Sequence, residues 1–599
     1  MIKIEKLSDK SLSIWCFVLA ILTYATSINN PFHFDDFHSI VENPHLRNLK
    51  NIPIFFVDTQ TFSVEQGGKM FRPLLLASFA INYAIHGYEV WGYRAFNILL
   101  HVSCVIALFR FAMKMGSDKR MAVLMGCLFL INPIVAEPIN YISSRSDLFV
   151  SSFVMWSICY LIGREGRYVF GVTLFICGFL VKSMAIVMPL LLFMCDRSTN
   201  IWANLVRKKN LIASLFVVIV VYVFVIYSNS FLGESINKIP RGFIEQIFTH
   251  IKAQVYMVWL CVMPVHLTVD HAIYPALKEI TGTIFFAALL IFSLSFFAIR
   301  SRTHWLSIGW IWQVAGLLPY AFIPLNLIVT ERRMYLAVIG FSIIMAWGLY
   351  RLQSKNKYAS YFIAILLIFW SGISVGRSSV WAKDISLWKE AVDYNPINSR
   401  ALVNLGLAYQ RSNKFAEAKN YIKKGLSLNP EIANGWLHLG NLQFNLGDNF
   451  EAEQSYLRAL SVQPNLAGGY YNLGNILLGR GEIKKAEQFY MRAININPYL
   501  ALAHNNLGQI HASRGNSSKA FRSYEKAITG DPGLPEPYFN QGLLHEKTGD
   551  YQRALDGYSR AYKIMSNLKD SEEINRSLPF KKQAEESINR LQSSTSERK

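Results

Sequence analysis

From Ser11 to Trp370 the sequence alternates long apolar runs with short charged clusters. A helix needs about 20 apolar residues to cross a bilayer. Runs of that kind lie at 12–28, 95–113, 121–139, 147–162, 211–230, 281–299, 304–323, 334–350 and 358–376. The stretch 168–195 is apolar except for Lys182 and is read as a tight helical hairpin. That brings the expected number of spans to about eleven. The run 249–265 is a further candidate, interfacial or re-entrant. The first run follows Lys3, Lys6 and Lys10, as the core of a signal peptide does. No small-residue cleavage site follows it, only Asn29-Asn30-Pro31, so it is read as an uncleaved first helix.

After Trp381 the pattern becomes polar and periodic. Prolines recur at 396, 430, 464, 498 and 532, and glycines at 406, 440, 474, 508 and 542, a spacing of 34 in each case. Alanines recur at 418, 452, 486, 520 and 554, and tyrosines at 456, 490, 524 and 558. This is the tetratricopeptide (TPR) period, with small residues where two helices cross and Pro after the second helix. The expected fold class is all-α. A polytopic membrane bundle covers 1–376, and a connecting helix resembling half a repeat covers 377–398. Five TPR repeats form a solenoid over 399–568, and a charged tail over 569–599 is expected to fray.

The net charge of +20 suggests nucleic acid, but its distribution does not, and no nucleic-acid motif is present. With the N-terminus inside and eleven spans, the inner segments hold 18 Lys and Arg in 53 residues. That density is about threefold that of the outer segments, as the positive-inside rule requires. The solenoid is then on the outer side, periplasmic in a bacterium or lumenal in the endoplasmic reticulum. All seven cysteines fall in the membrane half, without metal-ligand spacing, and read as small core hydrophobes.

Charged residues gather at the outer ends of several spans. Loop one reads Asn30-Pro31-Phe32-His33-Phe34-Asp35-Asp36-Phe37-His38. Loop two carries Glu137 and Ser143-Ser144-Arg145-Ser146-Asp147, and a later loop carries Glu331-Arg332-Arg333-Met334-Tyr335. Singly these are solvated loop charges; together they are expected to form one pocket at the membrane surface. In the solenoid, the residue two before each repeated glycine is Asn404, His438, Asn472, Asn506 or Asn540. Asn441, Asn475 and Asn505 lie beside this row. Asn both donates and accepts, so such a row suits an extended peptide backbone. The other reading is that these amides satisfy groups between neighbouring helices, and both stay open.

Over nearly its whole length the chain resembles the TMTC family, the transmembrane and TPR-containing O-mannosyltransferases. The segments that carry the resemblance are Phe34-Asp35-Asp36, Phe71-Arg72-Pro73-Leu74, Asn97 to His101, Asn132-Pro133-Ile134 through Asp147, Lys182-Ser183 and Glu331 to Tyr335. Asn132 departs from the pattern, since the family usually has His there. The resemblance implies the GT-C fold and transfer of a sugar from a polyprenyl-phosphate carrier to a Ser or Thr hydroxyl, with inversion. It also makes Asp35-Asp36 the signature acidic pair.

The residue types suit that chemistry. A carboxylate can take the proton of an attacking hydroxyl, which makes Asp35 the expected base with Asp36 second. Negative charge also favours an oxocarbenium-like transition state. A departing lipid phosphate calls for arginine: Arg332 and Arg333 first, Arg72 and Arg145 behind them. Glu137, Asp147 and Glu331 are expected to orient sugar or acceptor. No metal or cofactor is expected, since the lipid-linked sugar is a substrate. The expected partners are that lipid, the surrounding membrane and an acceptor protein held by the solenoid. The alternative from another class is a non-enzymatic membrane-anchored scaffold whose repeats assemble protein complexes. Such a scaffold has no use for Asp35-Asp36 or for arginines at the outer ends of distant spans.

Overall fold

The computed structural model describes residues 8–64, 70–162, 167–197, 209–228, 242–271, 281–301, 304–322, 327–356, 358–566 and 571–596. Among these residues every regular element is helical. The chain divides into two compact units, one made of Met1–Val41, His45–Ser63 and Gly67–Ala408, the other of Glu42–Pro44, Val64–Gln66 and Tyr409–Lys599.

The first unit is built around the 25-residue helix Val90–Lys114, whose Cys104, Val105, Ala107, Leu108 and Phe111 are fully buried. Helices Lys119–Leu130 and Arg145–Leu161 pack on it. Helices His304–Leu317 and Tyr335–Lys355 cross closely because glycines meet at the crossing. A Cβ added to Gly340 would stand 2.6 Å from the Gln313 nitrogen, and one on Gly316 would stand 2.8 Å from the Ala337 nitrogen. Small residues that let backbones approach are the usual basis of helix packing in membranes.

Helix length changes the expected span count. Among the described residues, three helices are long and apolar enough to cross a membrane: Val90–Lys114, Glu331–Lys355 and Ala359–Val380. A fourth is available if Lys119–Leu130 and Pro133–Asn140, bent by 48°, count as one. The remaining expected spans do not meet that measure among the described residues. The 168–195 hairpin breaks at Lys182 into helices Tyr168–Phe179 and Met188–Arg197. At 1.5 Å per residue, a 12-residue helix reaches about 18 Å, short of a hydrocarbon core about 30 Å thick. The predicted run 211–230 lies in helix Lys209–Ser228, and its last two residues fall outside the described residues.

In the second unit the repeats are helix pairs, for example Ala433–Asn445 with Asn449–Val462 and Ala467–Gly479 with Ile483–Ile496. From the second repeat on, each repeated glycine lies under a tyrosine ring of the second helix. A Cβ on Gly440, Gly474 or Gly542 would fall 2.5, 2.6 or 2.8 Å from Tyr456, Tyr490 or Tyr558. A second 34-residue row closes the first helix of each pair: Gly447, Gly481, Gly515 and Gly549, all at positive φ. Asn413 takes that place in the first repeat at φ 58°, as the residue type that best tolerates it after glycine. The tail expected to fray is instead helix Ser571–Ser596. Its Ala584 and Leu591 are buried, and Arg590 pairs with Glu546 at 2.6 Å. An apolar stripe at 584, 588 and 591 outweighs the charged composition, because it packs against Tyr558 and Tyr562.

Candidate active site

Loop one makes a tight turn at His33–Asp36. The Asp36 N–H donates to the His33 carbonyl at 2.9 Å, and the His33 N–H donates back to Asp36 Oδ2 at 3.0 Å. Between them Phe34 sits at φ +47°, a region an aromatic residue seldom occupies without support. Its ring lies 5.6 Å from Tyr141, 6.1 Å from Trp381 and 5.1 Å from Trp388. Both nitrogens of His33 face oxygen. Nε2 donates to the Trp381 carbonyl at 2.9 Å, and Nδ1 lies 2.8 Å from Asp384.

The turn gives its two carboxylates opposite situations. Asp36 is buried, and its Oδ1 accepts from the Ser143 N–H at 2.7 Å and the Ser143 hydroxyl at 2.5 Å. Burial raises its pKa against the pull of these donors. Asp35 has a side chain 53% exposed, with His38 Nε2 at 3.6 Å and Arg332 Nη1 at 3.9 Å. Partial burial works to raise its pKa, but His38, Arg332 and Tyr141 prevail and hold it well below the ordinary carboxylate range. Asp35 is thus ionised and reachable, whereas Asp36 is committed to the fold.

Arg332 is the hub of the site. Its guanidinium lies 4.9 Å over the Tyr141 ring and couples electrostatically to Asp35, Glu137 and Asp147. Arg333 and Arg72 also sense the charge of Asp147, and Lys182 Nζ pairs with it at 2.5 Å. Four cations from three separate segments of the chain therefore gather near Asp147, an arrangement that favours an anion. Arg333 also donates to the Leu327 carbonyl and lies over Tyr320, and Arg72 lies over Phe62.

Arg145 is elsewhere in this arrangement. It is fully buried, with Nε donating to Asn97 Oδ1 at 2.8 Å, Nη1 to the Ser78 hydroxyl at 3.1 Å and Nη2 to the Tyr93 carbonyl at 3.0 Å. Phe79 and Phe96 cover its guanidinium at 4.6 and 4.7 Å.

Glu137 and Glu331 lie deeper and sense one another's charge. Arg377 Nη2 approaches Glu331 at 3.3 Å while its Nη1 pairs with Glu390, and His271 Nε2 lies 3.5 Å from Glu331. Burial lowers the His271 pKa to about 4 despite the neighbouring Glu137. Glu137 Oε2, Glu331 Oε2, Asn132 Nδ2 and Thr330 Oγ1 are buried with no hydrogen-bond partner among the described residues. Buried polar atoms rarely stay unpaired, and each costs about 1–3 kcal/mol when it does. Asn132, where the TMTC pattern has His, uses its Oδ1 to accept from the Ile134 N–H at 3.0 Å.

In the solenoid, the asparagine row forms bonds between successive repeats. Asn472 donates to Asn441 at 2.7 Å, Asn506 to Asn475 at 3.0 Å and Asn540 to Asn505 at 2.9 Å. In the first repeat Leu407 stands where Asn441 and Asn475 stand later. Asn404, in the first repeat, is half-buried like the others. One part of each bonded amide is thus spent within the fold, and the row remains partly exposed.

Sequence reasoning singled out Asp35, Arg332, Arg333, Arg72 and Asp147, which the structure brings into one neighbourhood. It did not assign roles to His33, Tyr141, His271, Arg377 or Asp384. Lys182 was visible as the lone charge in an apolar run.

Tetratricopeptide-repeat family models match residues 403–468, 467–500 and 501–533. Among characterised proteins, the chain is 25% identical over 414 residues to protein O-mannosyl-transferase F38B6.6 of Caenorhabditis elegans, covering 65% of this chain and 58% of that protein. It is 22% identical over 445 residues to protein O-mannosyl-transferase TMTC3 of Homo sapiens, covering 65% of this chain and 48% of that one. The chain thus spans about half the length of the curated relatives it matches. Among solved structures, the crystal structure of MamA is 28% identical over 27% of this chain and 95% of its own, at a TM-score of 0.24.

Proposed function

We propose that this homologue of the protein O-mannosyl-transferases is a membrane glycosyltransferase that moves mannose or another hexose from a polyprenyl-phosphate carrier to Ser or Thr hydroxyls of an acceptor protein. The observation that carries the reading is the ionised, reachable Asp35 beside Arg332 and the other cations around Asp147. The acceptor hydroxyl oxygen attacks the anomeric carbon and its proton passes to Asp35. The bond from that carbon to the phosphate oxygen breaks, and the electron pair leaves with the lipid phosphate. Arg332, Arg333, Arg72 and Lys182 receive that charge. Arg145, each of whose three nitrogens already donates to the fold, braces the loops instead.

A carboxylate held so acidic is a weak base, and the lipid phosphate corrects this. As the phosphate draws Arg332 toward itself, Asp35 loses a stabilising charge and its proton affinity rises. The unpartnered oxygens of Glu137 and Glu331 suit the sugar hydroxyls as hydrogen-bond acceptors. The threefold excess of basic residues in alternate loops supports a multi-pass topology with this site on the outer face. The partly exposed Asn472, Asn506 and Asn540 suit an extended acceptor segment.

The test is a reconstitution. The purified full chain in nanodiscs is given a short-chain polyprenyl-phosphate mannose and a Ser/Thr-rich peptide. Release of polyprenyl phosphate that depends on the peptide, and is lost in Asp35→Asn, supports the reading. Absence of release with this donor and with the corresponding glucose donor counts against it.

A further inference from the structure

The strained turn that carries Asp35 and Asp36 is not held by loop one alone. Its supports come from the segment after the last long apolar helix, Ala359–Val380, and above all from the connecting helix Asp384–Tyr394. Asp384 takes His33 Nδ1 at 2.8 Å, and the Trp381 carbonyl takes Nε2 at 2.9 Å. Trp388 lies 5.1 Å from the Phe34 ring, and Trp381 lies 6.1 Å from it. The connecting helix is itself fixed at two further points. Glu390 pairs with Arg377, and the Tyr394 hydroxyl meets the Tyr256 hydroxyl at 3.0 Å. Leu387, Trp388 and Ala391 are buried beneath it.

Phe34 makes this dependence sharp. A φ of +47° is costly for an aromatic residue and persists only where surrounding contacts over-determine it. The same backbone conformation turns Asp35 outward to Arg332 and Asp36 inward to Ser143. If Phe34 relaxed to negative φ, the reciprocal bonds between His33 and Asp36 could not both survive.

We propose that the connecting helix is a clamp that holds the carboxylate turn in its strained form, with Asp384 and Trp388 as positioning residues for Asp35 and Asp36. The role rests on the transferase reading for its catalytic meaning, but its physical content does not. Neither residue touches the sugar or the phosphate in this scheme; both act through His33 and Phe34. Glycine pays no steric cost at positive φ, so the need for the clamp should fall when Phe34 is replaced by glycine.

The experiment is hydrogen exchange by mass spectrometry on the full chain in nanodiscs, following peptides that contain residues 33–37. Solenoid peptides serve as the control for a folded protein. Asp384→Asn, which keeps the side-chain volume, and Trp388→Ala are each expected to speed exchange in the turn by about tenfold or more while the solenoid stays protected. Adding Phe34→Gly to Asp384→Asn is expected to slow it again, and Asp384→Glu to stay close to native. In the reconstituted reaction, kcat falls in Asp384→Asn while KM for the lipid donor holds. Native exchange in the turn of both Asp384→Asn and Trp388→Ala overturns the proposal whatever the chain's activity. Faster exchange that Phe34→Gly does not slow overturns the strain argument on which it depends. An inactive native chain whose turn nevertheless loosens in these variants sinks the transferase reading and leaves the clamp standing.

Discussion

Arg332 Nη1 stands 3.9 Å from Asp35 Oδ2, and the same guanidinium lies 4.9 Å over the ring of Tyr141, whose hydroxyl accepts from the Asp35 N–H at 3.1 Å. One cation thus reaches both the carboxylate and the ring that steadies its backbone. This makes the two members of the acidic pair distinguishable by mutation. Asp35→Asn is expected to lower transfer by about 100-fold or more, the range for losing a general base, while the chain stays folded. Asp36→Asn is expected to destabilise the fold by about 1–3 kcal/mol, because it weakens a buried acceptor of three hydrogen bonds. Rate assays and thermal denaturation of the two variants side by side check both halves.

The pH dependence follows from the same contact. The Asp35 pKa is lowered in the folded chain, so protonation lags behind that of a free carboxylate as pH falls. kcat/KM reports the free enzyme, so Asp35 gives it no acid limb above the ordinary carboxylate range of about 4. Arg332→Gln removes a charge that lowers this pKa, so any limb due to Asp35 moves to higher pH. A profile of kcat/KM against pH for the native chain and Arg332→Gln measures the direction; movement to lower pH would contradict it.

The four arginines assigned to the lipid phosphate separate into two kinds. Arg72→Ala and Arg333→Ala are expected to weaken binding of the lipid donor, seen as a higher KM. Arg145→Ala is expected to cost stability instead, by about 1–3 kcal/mol for each buried acceptor it leaves unpaired. Thermal denaturation together with donor titration distinguishes these outcomes.

His271 predicts an acid sensitivity of the first unit. Its folded pKa of about 4 lies below the free value of 6.5. The unfolded chain therefore binds more protons between these values, so stability is fully present above 6.5 and is lost as pH falls toward 4. Denaturation of His271→Gln across this range is expected to show a shallower loss than the native chain.

Changing Asn472, Asn506 and Asn540 together to Ala removes at least four bonds between repeats, the three between asparagines and one from Asn506 to the Tyr490 hydroxyl, each worth about 0.5–1.5 kcal/mol net. The expected result is lower resistance of the solenoid to denaturant and weaker acceptor binding. Loss of stability with unchanged acceptor affinity would assign the row to the fold alone.

How much of this was legible depended on the distance over which each feature is written. The solenoid declares itself every 34 residues, and even the row ending in Gly549 and starting at Asn413 was there to be read. The apolar stripe of the last helix, at 584, 588 and 591, was outvoted by the charges around it. Hydropathy located apolar stretches but not the breaks at Lys182 and Asn132, so about eleven spans were expected where three helices among the described residues are long and apolar enough to span. Asp35 and Asp36 stand out as a pair, yet nothing local tells them apart. The difference comes from Ser143, 107 residues on, and from Arg332. His33 looked like a flanking histidine because its partner Asp384 lies 351 residues away. Arg145 carries the charge of a phosphate ligand, and only Asn97, Ser78 and Tyr93 show that each of its nitrogens already donates within the fold.

The most direct test of the central claim is mass spectrometry of outer-face proteins from cells carrying the native chain or Asp35→Asn at equal levels. Hexose on specific Ser and Thr residues with the native chain, absent with Asp35→Asn, is the predicted result and identifies the acceptors. The same hexose-modified peptides in both would contradict the account and return the chain to the scaffold reading.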